Sequence, residues 1–238
     1  MKTVIKGFIK SSMLDWDGSI VSTLYVPHCN MRCPFCHNRN LILAADDYPT
    51  ISQDEILDFY KSRKDFLDGI CLTGGEPCLY EDLVDFLGPF KNSGARIKLD
   101  TNGTNPDRVK EVVKSGLIDY IAMDIKNKLD FESYKKASRI KSEGLFNNAK
   151  ESINYIMSCG LPYEFRTTVV PTIHTKDDII SIGESIKGAT KFALQNFQPE
   201  NTLDENFEKL TPYKMDEIKD MAEAIRPYID EVVVRGKD

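Results

Sequence analysis

The chain has 238 residues, with 31 basic and 37 acidic side chains giving a formal charge of −6, and it is 41% hydrophobic and 29% charged. This is an ordinary globular composition, neither disordered nor collagen-like, and its acidic balance excludes the basic footprint of a nucleic-acid binder and any pull toward anionic membranes. No run reaches the roughly 18 apolar residues of a spanning helix, and Lys6 and Lys10 interrupt the N-terminal apolar residues where a signal peptide would have its core. The expected location is therefore the cytoplasm, with neither nucleic acid nor membrane as partner.

Residues 1–18 read as a short N-terminal extension, and from residue 19 short apolar strands alternate with amphipathic helices. A strand is expected over 19–26, followed by a helix opened by the capping pair Ser52 and Glu55 and carrying Ile56, Phe59 and Tyr60. The next strand, 69–73, precedes a helix with Leu83, Phe86, Leu87 and Phe90 at helical spacing. Strand 95–99 leads to Asn105-Pro106, an N-cap with proline at the first helical position, and Gly116 closes that helix. Strand 117–123 precedes a helix marked by Ala149, Ile153, Ile156 and Met157 and stopped by Gly160 and Pro162. Strand 163–170 is followed by Ile179, Ile182 and Ile186 after Thr175. Strand 191–197 is followed by Met215, Ile218, Ala222 and Ile225 after Thr211-Pro212, and 231–235 is the last strand. The expected fold class is α/β: one domain over 1–238, its residues 19–238 forming a partial (β/α)6-type TIM barrel behind the extension.

In such folds the active site gathers at the carboxyl ends of the strands. Each unusual polar cluster here follows or ends a strand: the Cys29–Cys36 loop, Gly74-Gly75-Glu76-Pro77, Asp100-Thr101-Asn102-Gly103, Asp124-Ile125-Lys126 and Gln198-Pro199. One shared mouth explains them together. Six cysteines are present, three of them within eight residues as Cys29-x3-Cys33-x2-Cys36, a thiolate set suited to a metal. Zinc is one reading, with His28, His37, Cys71 or Cys78 as a fourth ligand. A ferredoxin-type carrier is another, although the loop lacks the C-x2-C-x2-C spacing common there. Three ligands leave a metal position open, which signals substrate chemistry.

The loop Cys29-x3-Cys33-x-Phe35-Cys36 resembles the cluster loop of the radical S-adenosylmethionine (SAM) enzymes. The resemblance implies that Cys29, Cys33 and Cys36 hold a [4Fe-4S] cluster whose fourth iron is chelated by SAM. The reduced cluster then cleaves SAM to release a 5′-deoxyadenosyl radical, and Phe35 lies near the adenine. Gly74-Gly75-Glu76-Pro77, 38 residues after Cys36, resembles the family's motif for the methionine end of SAM. Glycines let backbone approach a ligand, and a carboxylate can take a cationic amino group. The bland alternative is a Gly-Pro turn.

MRCPFCHNRN (31–40) is similar to the loop of the enzymes that activate glycyl radical enzymes, and LDTNG (99–103) and DIK (124–126) resemble their SAM-contacting motifs. By that match Asp100, Asn102, Asp124 and Lys126 contact SAM. Arg166 has two readings: by resemblance it binds the SAM carboxylate, or it pairs with Glu164 on the same strand face. His28 stands where many relatives have glycine and is expected to pack beside the cluster. Cys71 reads as a small core residue, Cys78 has no assigned role, and Gln198 faces the site on position alone. Residues 37–70 contain no cysteine, so one cluster is expected.

The implied function is an activase that abstracts a glycine Cα hydrogen from a partner glycyl radical enzyme, most like the activator of anaerobic ribonucleoside-triphosphate reductase. A flavodoxin or ferredoxin would supply the electron. Activation of pyruvate formate-lyase or another such enzyme, and small-molecule radical SAM chemistry, are the alternatives.

Overall fold

The computed structural model describes residues 1–236. Its centre is one sheet of eight strands in the order β1 to β8: Gly7–Ser12, Val21–Val26, Gly69–Gly74, Arg96–Thr101, Tyr120–Asp124, Tyr163–Val169, Lys191–Asn196 and Glu231–Arg235. Strand β1 runs antiparallel to β2, and every later neighbour pair is parallel. The helices α1 to α8 are Arg39–Leu43, Gln53–Ser62, Leu83–Asn92, Pro106–Lys114, Phe131–Ser138, Glu143–Ser158, Lys176–Ser185 and Met215–Ile225. No helix among the described residues is long and apolar enough to cross a membrane.

The strand sequences explain the two faces. Alternate residues such as Ile97, Leu99, Ile121, Met123, Phe165, Phe192 and Leu194 are fully buried in the apolar core. The intervening positions, Lys98, Asp100, Asp124, Glu164, Arg166 and Arg235, meet one another on the other face. That face is concave. Asp17, in the β1–β2 connection, pairs with Lys191 of β7 at 3.0 Å and Arg235 of β8 at 2.5 Å. In a flat sheet β2 and β8 would lie about 30 Å apart. The sheet is thus curled into a partial barrel, with residues 13–18 at the end where the parallel strands begin. There Trp16 is 4% exposed, packs with Val21 and Cys71, and lies 4.4 Å beneath the Arg96 guanidinium.

The N-terminal segment is therefore more than an extension. Its strand β1 escaped the sequence reading because GFIKSS lies half exposed at the sheet edge and shows no apolar alternation. Helices α1 and α5, of five and eight residues, are too short to show a periodicity and were also unforeseen. The capping signals fare better. Ser52 accepts from Glu55 N at 3.1 Å, and Asn105 accepts from Arg108 N at 3.2 Å ahead of Pro106. Thr175 forms a full capping box with Asp178.

The concave face carries an alternating chain of charge from floor to mouth. Asp17 meets Arg235, whose guanidinium grips Glu164 at 2.7 and 3.1 Å. Lys98 Nζ lies 3.6 Å from Glu164 and 3.5 Å from Asp100. Arg166 then joins Asp100 to Asp124, both at 2.9 Å, and Lys126 ends the chain 3.0 Å from Asp124. Removing one partner of a buried pair leaves an uncompensated charge, which costs about 3 kcal/mol or more. Arg235→Met is expected to lower stability by about that amount in urea denaturation, and Arg235→Met/Glu164→Gln to regain most of it. A single variant as stable as the parent would refute a structural role for this pair.

Candidate active site at the barrel mouth

The cysteine loop leaves β2 through His28, whose φ of 60° is the left-handed conformation that glycine adopts freely. The His28 side chain is exposed, so the packing expected of it is not found; what the position asks for is the backbone conformation. The His28 amide donates to Leu41 O at 3.1 Å, and its carbonyl accepts from Glu76 N at 2.8 Å. Cys36 N donates to Cys33 O at 3.1 Å, turning the loop inward. Cys33 is buried, its sulfur 3.9 Å from Ser138 O at the end of α5, and Asn102 Nδ2 lies 3.6 Å from the Cys29 sulfur. Burial pushes the Cys29 thiol up to about 11 and Cys33 up to about 12, and raises Cys36 as well. All six cysteines are free.

Strand β3 delivers the second element. Gly74 has φ +112°, and a Cβ on Gly75 would fall 1.8 Å from His28 O. A Cβ on Gly74 would fall 2.4 Å from Val26 O at the end of β2, so both glycines are required by the close approach of the β3 end to β2 and to the start of the cysteine loop. Asn38 Nδ2 closes the other side of the loop onto Gly74 O at 2.6 Å.

Glu76 is 1% exposed, and its carboxylate is turned to protein donors. One oxygen accepts from Cys78 N at 2.9 Å and Thr101 Oγ1 at 2.7 Å, and the other accepts from Asn102 N at 2.6 Å. The carboxylate expected to take an amino group thus already accepts three protein donors, and Glu76 still lines the cavity at the mouth. Burial pushes its carboxyl upward against the three hydrogen bonds, which favour the charged form. Pro77 is buried at the start of a 3-10 turn, Pro77–Leu79.

The next two strands bring the charged groups. Burial alone would raise the Asp124 carboxyl, but Arg166 and then Lys126 outweigh it and hold Asp124 well below the usual carboxylate range. Burial would likewise lower Lys126 and Arg166, and their carboxylate partners reverse that, so both stay charged. Of the two readings of Arg166, the pairing with Glu164 is not found: Arg166 pairs with Asp100 and Asp124, because Arg235 and Lys98 already occupy Glu164. Asp100 Oδ1 is buried without a hydrogen bond.

Cys29, Cys33, Phe35, Cys36, Gly74, Gly75, Glu76, Asp100, Asn102, Asp124, Lys126 and Arg166 all line one cavity of about 350 Å³. Thr168 and Gln195 line it too; the alternation from Arg166 to Thr168 and from Ala193 to Gln195 carried that signal. Gln198 does not line it, and its backbone carbonyl meets His37 Nε2 at 2.8 Å. Cys71 and Cys78 are fully buried away from this lining.

The Radical SAM superfamily profile matches residues 23–186, more than half of the chain. The chain belongs to the radical SAM superfamily. It is 33% identical, over 99% of its length and 97% of the relative's, to a Methanocaldococcus jannaschii protein named as a glycyl-radical enzyme activating enzyme. It is 28% identical to the pyruvate formate-lyase-activating enzyme of Clostridium pasteurianum, over 86% of this chain and 87% of that one. In fold it is similar to Streptococcus suis SuiB bound to S-adenosylmethionine, with a TM-score of 0.69 at 14% identity, covering 90% of this chain. This chain spans about half (52%) of SuiB. It is also similar to TYW1 with a lysine-pyruvate adduct, with a TM-score of 0.64 at 16% identity, covering 87% of this chain and 73% of that one.

A radical SAM protein uses a [4Fe-4S] cluster and SAM, and this chain is an iron–sulfur redox enzyme of that family. Its mouth fits both groups. Soft sulfur donors suit iron, and among the described residues no three Cys, His, Asp or Glu side chains converge on a single-ion point. Thiolates that each take a different iron need no such point. The paired cations and carboxylates at the mouth offer complementary charge to a zwitterionic amino acid end.

His174, which no motif or spacing singles out, braces this radical SAM mouth. Val170 N donates to its Nδ1 at 3.0 Å, so Nε2 carries the hydrogen and donates to Lys126 O at 2.8 Å. Its ring packs edge-on against Phe35 at 6.4 Å. Burial holds His174 neutral, depressing it from 6.5 to about 4. Between those values the unfolded chain binds the extra proton, so stability rises with pH across the window and is lost on acidification. From pH 7 to pH 5 the parent is expected to lose about 2 kcal/mol more than His174→Gln in urea denaturation. Equal losses would show that His174 is not held neutral.

Proposed function

We propose that the chain is an activase of a glycyl radical enzyme, with the anaerobic ribonucleoside-triphosphate reductase as preferred partner. The observation that carries the reading is the meeting of Cys29, Cys33 and Cys36 with Gly74–Glu76, Asp100, Asp124, Lys126 and Arg166 around one cavity. Support for an activase comes from relatives so named that align along nearly the whole chain. The entry segment 7–26 resembles the longer ribonucleotide reductase activators, which favours that partner. The Clostridium relative keeps pyruvate formate-lyase as the second reading.

Bound at this mouth, the cluster and SAM would supply the radical chemistry that takes a hydrogen atom from a glycine Cα. The chain's own residues bind and orient. Cys29, Cys33 and Cys36 are the ligands, and Asn102 Nδ2 donates toward the Cys29 sulfur. Asp100 and Asp124 fix Arg166, and Asp124 fixes Lys126; the two cations would hold the SAM carboxylate, and the two carboxylates would take its amino or ribose donors. With Glu76 occupied by Cys78, Thr101 and Asn102, the backbone of Gly74 and Gly75 forms the surface against the methionine end, and Pro77 fixes the turn behind it. Phe35, held by His174, takes the adenine side. No side-chain acid or base is required, because the abstracted particle is a hydrogen atom. One radical SAM domain over 1–238, working in the cytoplasm with an external flavodoxin or ferredoxin, completes the reading.

The test is anaerobic incubation of reconstituted protein with SAM, dithionite and the reductase, followed by electron paramagnetic resonance. A glycyl radical on the reductase that is absent with Cys33→Ala is the expected result. Deoxyadenosine without a protein radical on the reductase or on pyruvate formate-lyase would overturn the activase reading and leave a small-molecule substrate.

A further inference from the structure

The chain carries a net charge of −6, yet basic residues gather at the end of α5 beside the cysteine loop, where the acidic neighbour is Asp204, whose N–H donates to Pro34 O at 2.9 Å. Lys135, Lys136, Arg139 and Lys141 fall within seven residues at the end of α5, and all four are exposed. Arg32, also exposed, stands between Cys29 and Cys33. The fold unites the two groups, since Arg32 N donates to Ser138 O at 3.0 Å and the Cys33 sulfur lies 3.9 Å from the same carbonyl. The residue touching the buried Cys33 is thus flanked on both sides by cations.

Local structure accounts for part of this group. Lysines in the last turn of a helix complement its dipole, which covers Lys135 and Lys136. Arg139 pairs with Asp204 at 2.6 Å, and Lys136 Nζ donates to Thr172 O at 2.6 Å. Arg32 and Lys141 lie outside the helix, and among the described residues neither they nor Lys135 pair with a carboxylate; Arg32 Nη1 donates to Cys29 O at 2.5 Å and Met31 O at 2.7 Å, which holds its charge at the cysteine loop, and Lys135 Nζ lies 5.4 Å from the Phe131 ring. Glu132 and Glu143, the acidic residues of the same stretch, pair with none of them. Like charges not neutralised by carboxylates, gathered on an acidic protein, create a local positive field that steers an acidic partner.

We propose that the surface formed by Arg32, Lys135 and Lys141 docks a small acidic one-electron carrier protein, placing its redox group over the end of α5 and Cys33. This rests on the radical SAM reading above and gives the external donor its place on the fold. In the step served, the carrier loses one electron and the cluster behind Cys33 gains it; no covalent bond forms or breaks. The partner glycyl radical enzyme would then be free to use the cavity mouth.

A reduced flavodoxin is the probe. Its affinity for the reconstituted protein would be measured anaerobically by flavin fluorescence at low and high salt, for the parent, for Lys135→Glu/Lys141→Glu, and for Lys61→Glu/Lys64→Glu on exposed α2 and its following turn as control. Deoxyadenosine formation would be followed in parallel with flavodoxin and with dithionite. The expected result is affinity weakened about tenfold or more in the Lys135/Lys141 variant only. Its flavodoxin-driven cleavage should fall likewise, with dithionite-driven cleavage unchanged. Equal affinity in both variants, no binding to the parent at low salt, or an equal fall with both reductants would overturn the docking surface. Absence of dithionite-driven cleavage in the parent would instead overturn the radical SAM reading beneath it.

Discussion

An unbroken line of alternating charges runs through the barrel, from Asp17 at the floor through Arg235, Glu164, Lys98, Asp100, Arg166 and Asp124 to Lys126 at the mouth. Charges in an interior are tolerated only when each is paired, since the desolvation penalty is several kcal/mol per ion. Here every carboxylate of the line stands between two cations, and every cation except the terminal Lys126 between two carboxylates. The line ties β4, β5, β6 and β8 to the N-terminal plug and so sets the curl of the sheet. Its last members are also the groups that meet a ligand. Arg166 and Lys126 arrive at the mouth already charged and aimed, which lowers the ordering cost of binding a zwitterion.

A second buried carboxylate joins the uncharged parts of the site. Glu76 gathers the turn after β3, through Cys78 N, and the end of β4 and its following loop, through Thr101 and Asn102. Its own backbone N–H holds His28 O beside the cysteine loop. Asn102 reaches on to Asn30 and the Cys29 sulfur. The cysteines are therefore positioned by residues more than 40 positions away, and a short motif in the sequence is the visible end of a three-loop brace. His174 adds the same service on the other side, between Lys126 and Phe35.

Much of this was legible because local rules act at each step. The cysteine spacing, the polar residue after each parallel strand, and the caps at Ser52, Asn105 and Thr175 can be read without tertiary knowledge. What stayed hidden depends on distance in space. Arg166 needed a carboxylate, but sequence offers only the nearest one, Glu164, and the competition from Arg235, 71 positions away, appears only in the fold. The brace that Glu76 forms was hidden too, because its three donors come from another loop and from its own turn. Strand β1 lay below detection because an edge strand half open to solvent needs no alternation. Gln195 was within reach by counting twos along β7, whereas Gln198 was chosen for its place after the strand and lies beyond it.

The central claim is that the mouth holds an iron–sulfur cluster on three cysteines with a position left for SAM. The most direct measurement is metal and sulfide content of the anaerobically reconstituted protein, together with electron paramagnetic resonance of the dithionite-reduced form before and after SAM is added. The account predicts about four iron and about four sulfide per chain, and a reduced-cluster signal that changes shape on addition of SAM. Zinc in place of iron, or a cluster signal indifferent to saturating SAM, would contradict it.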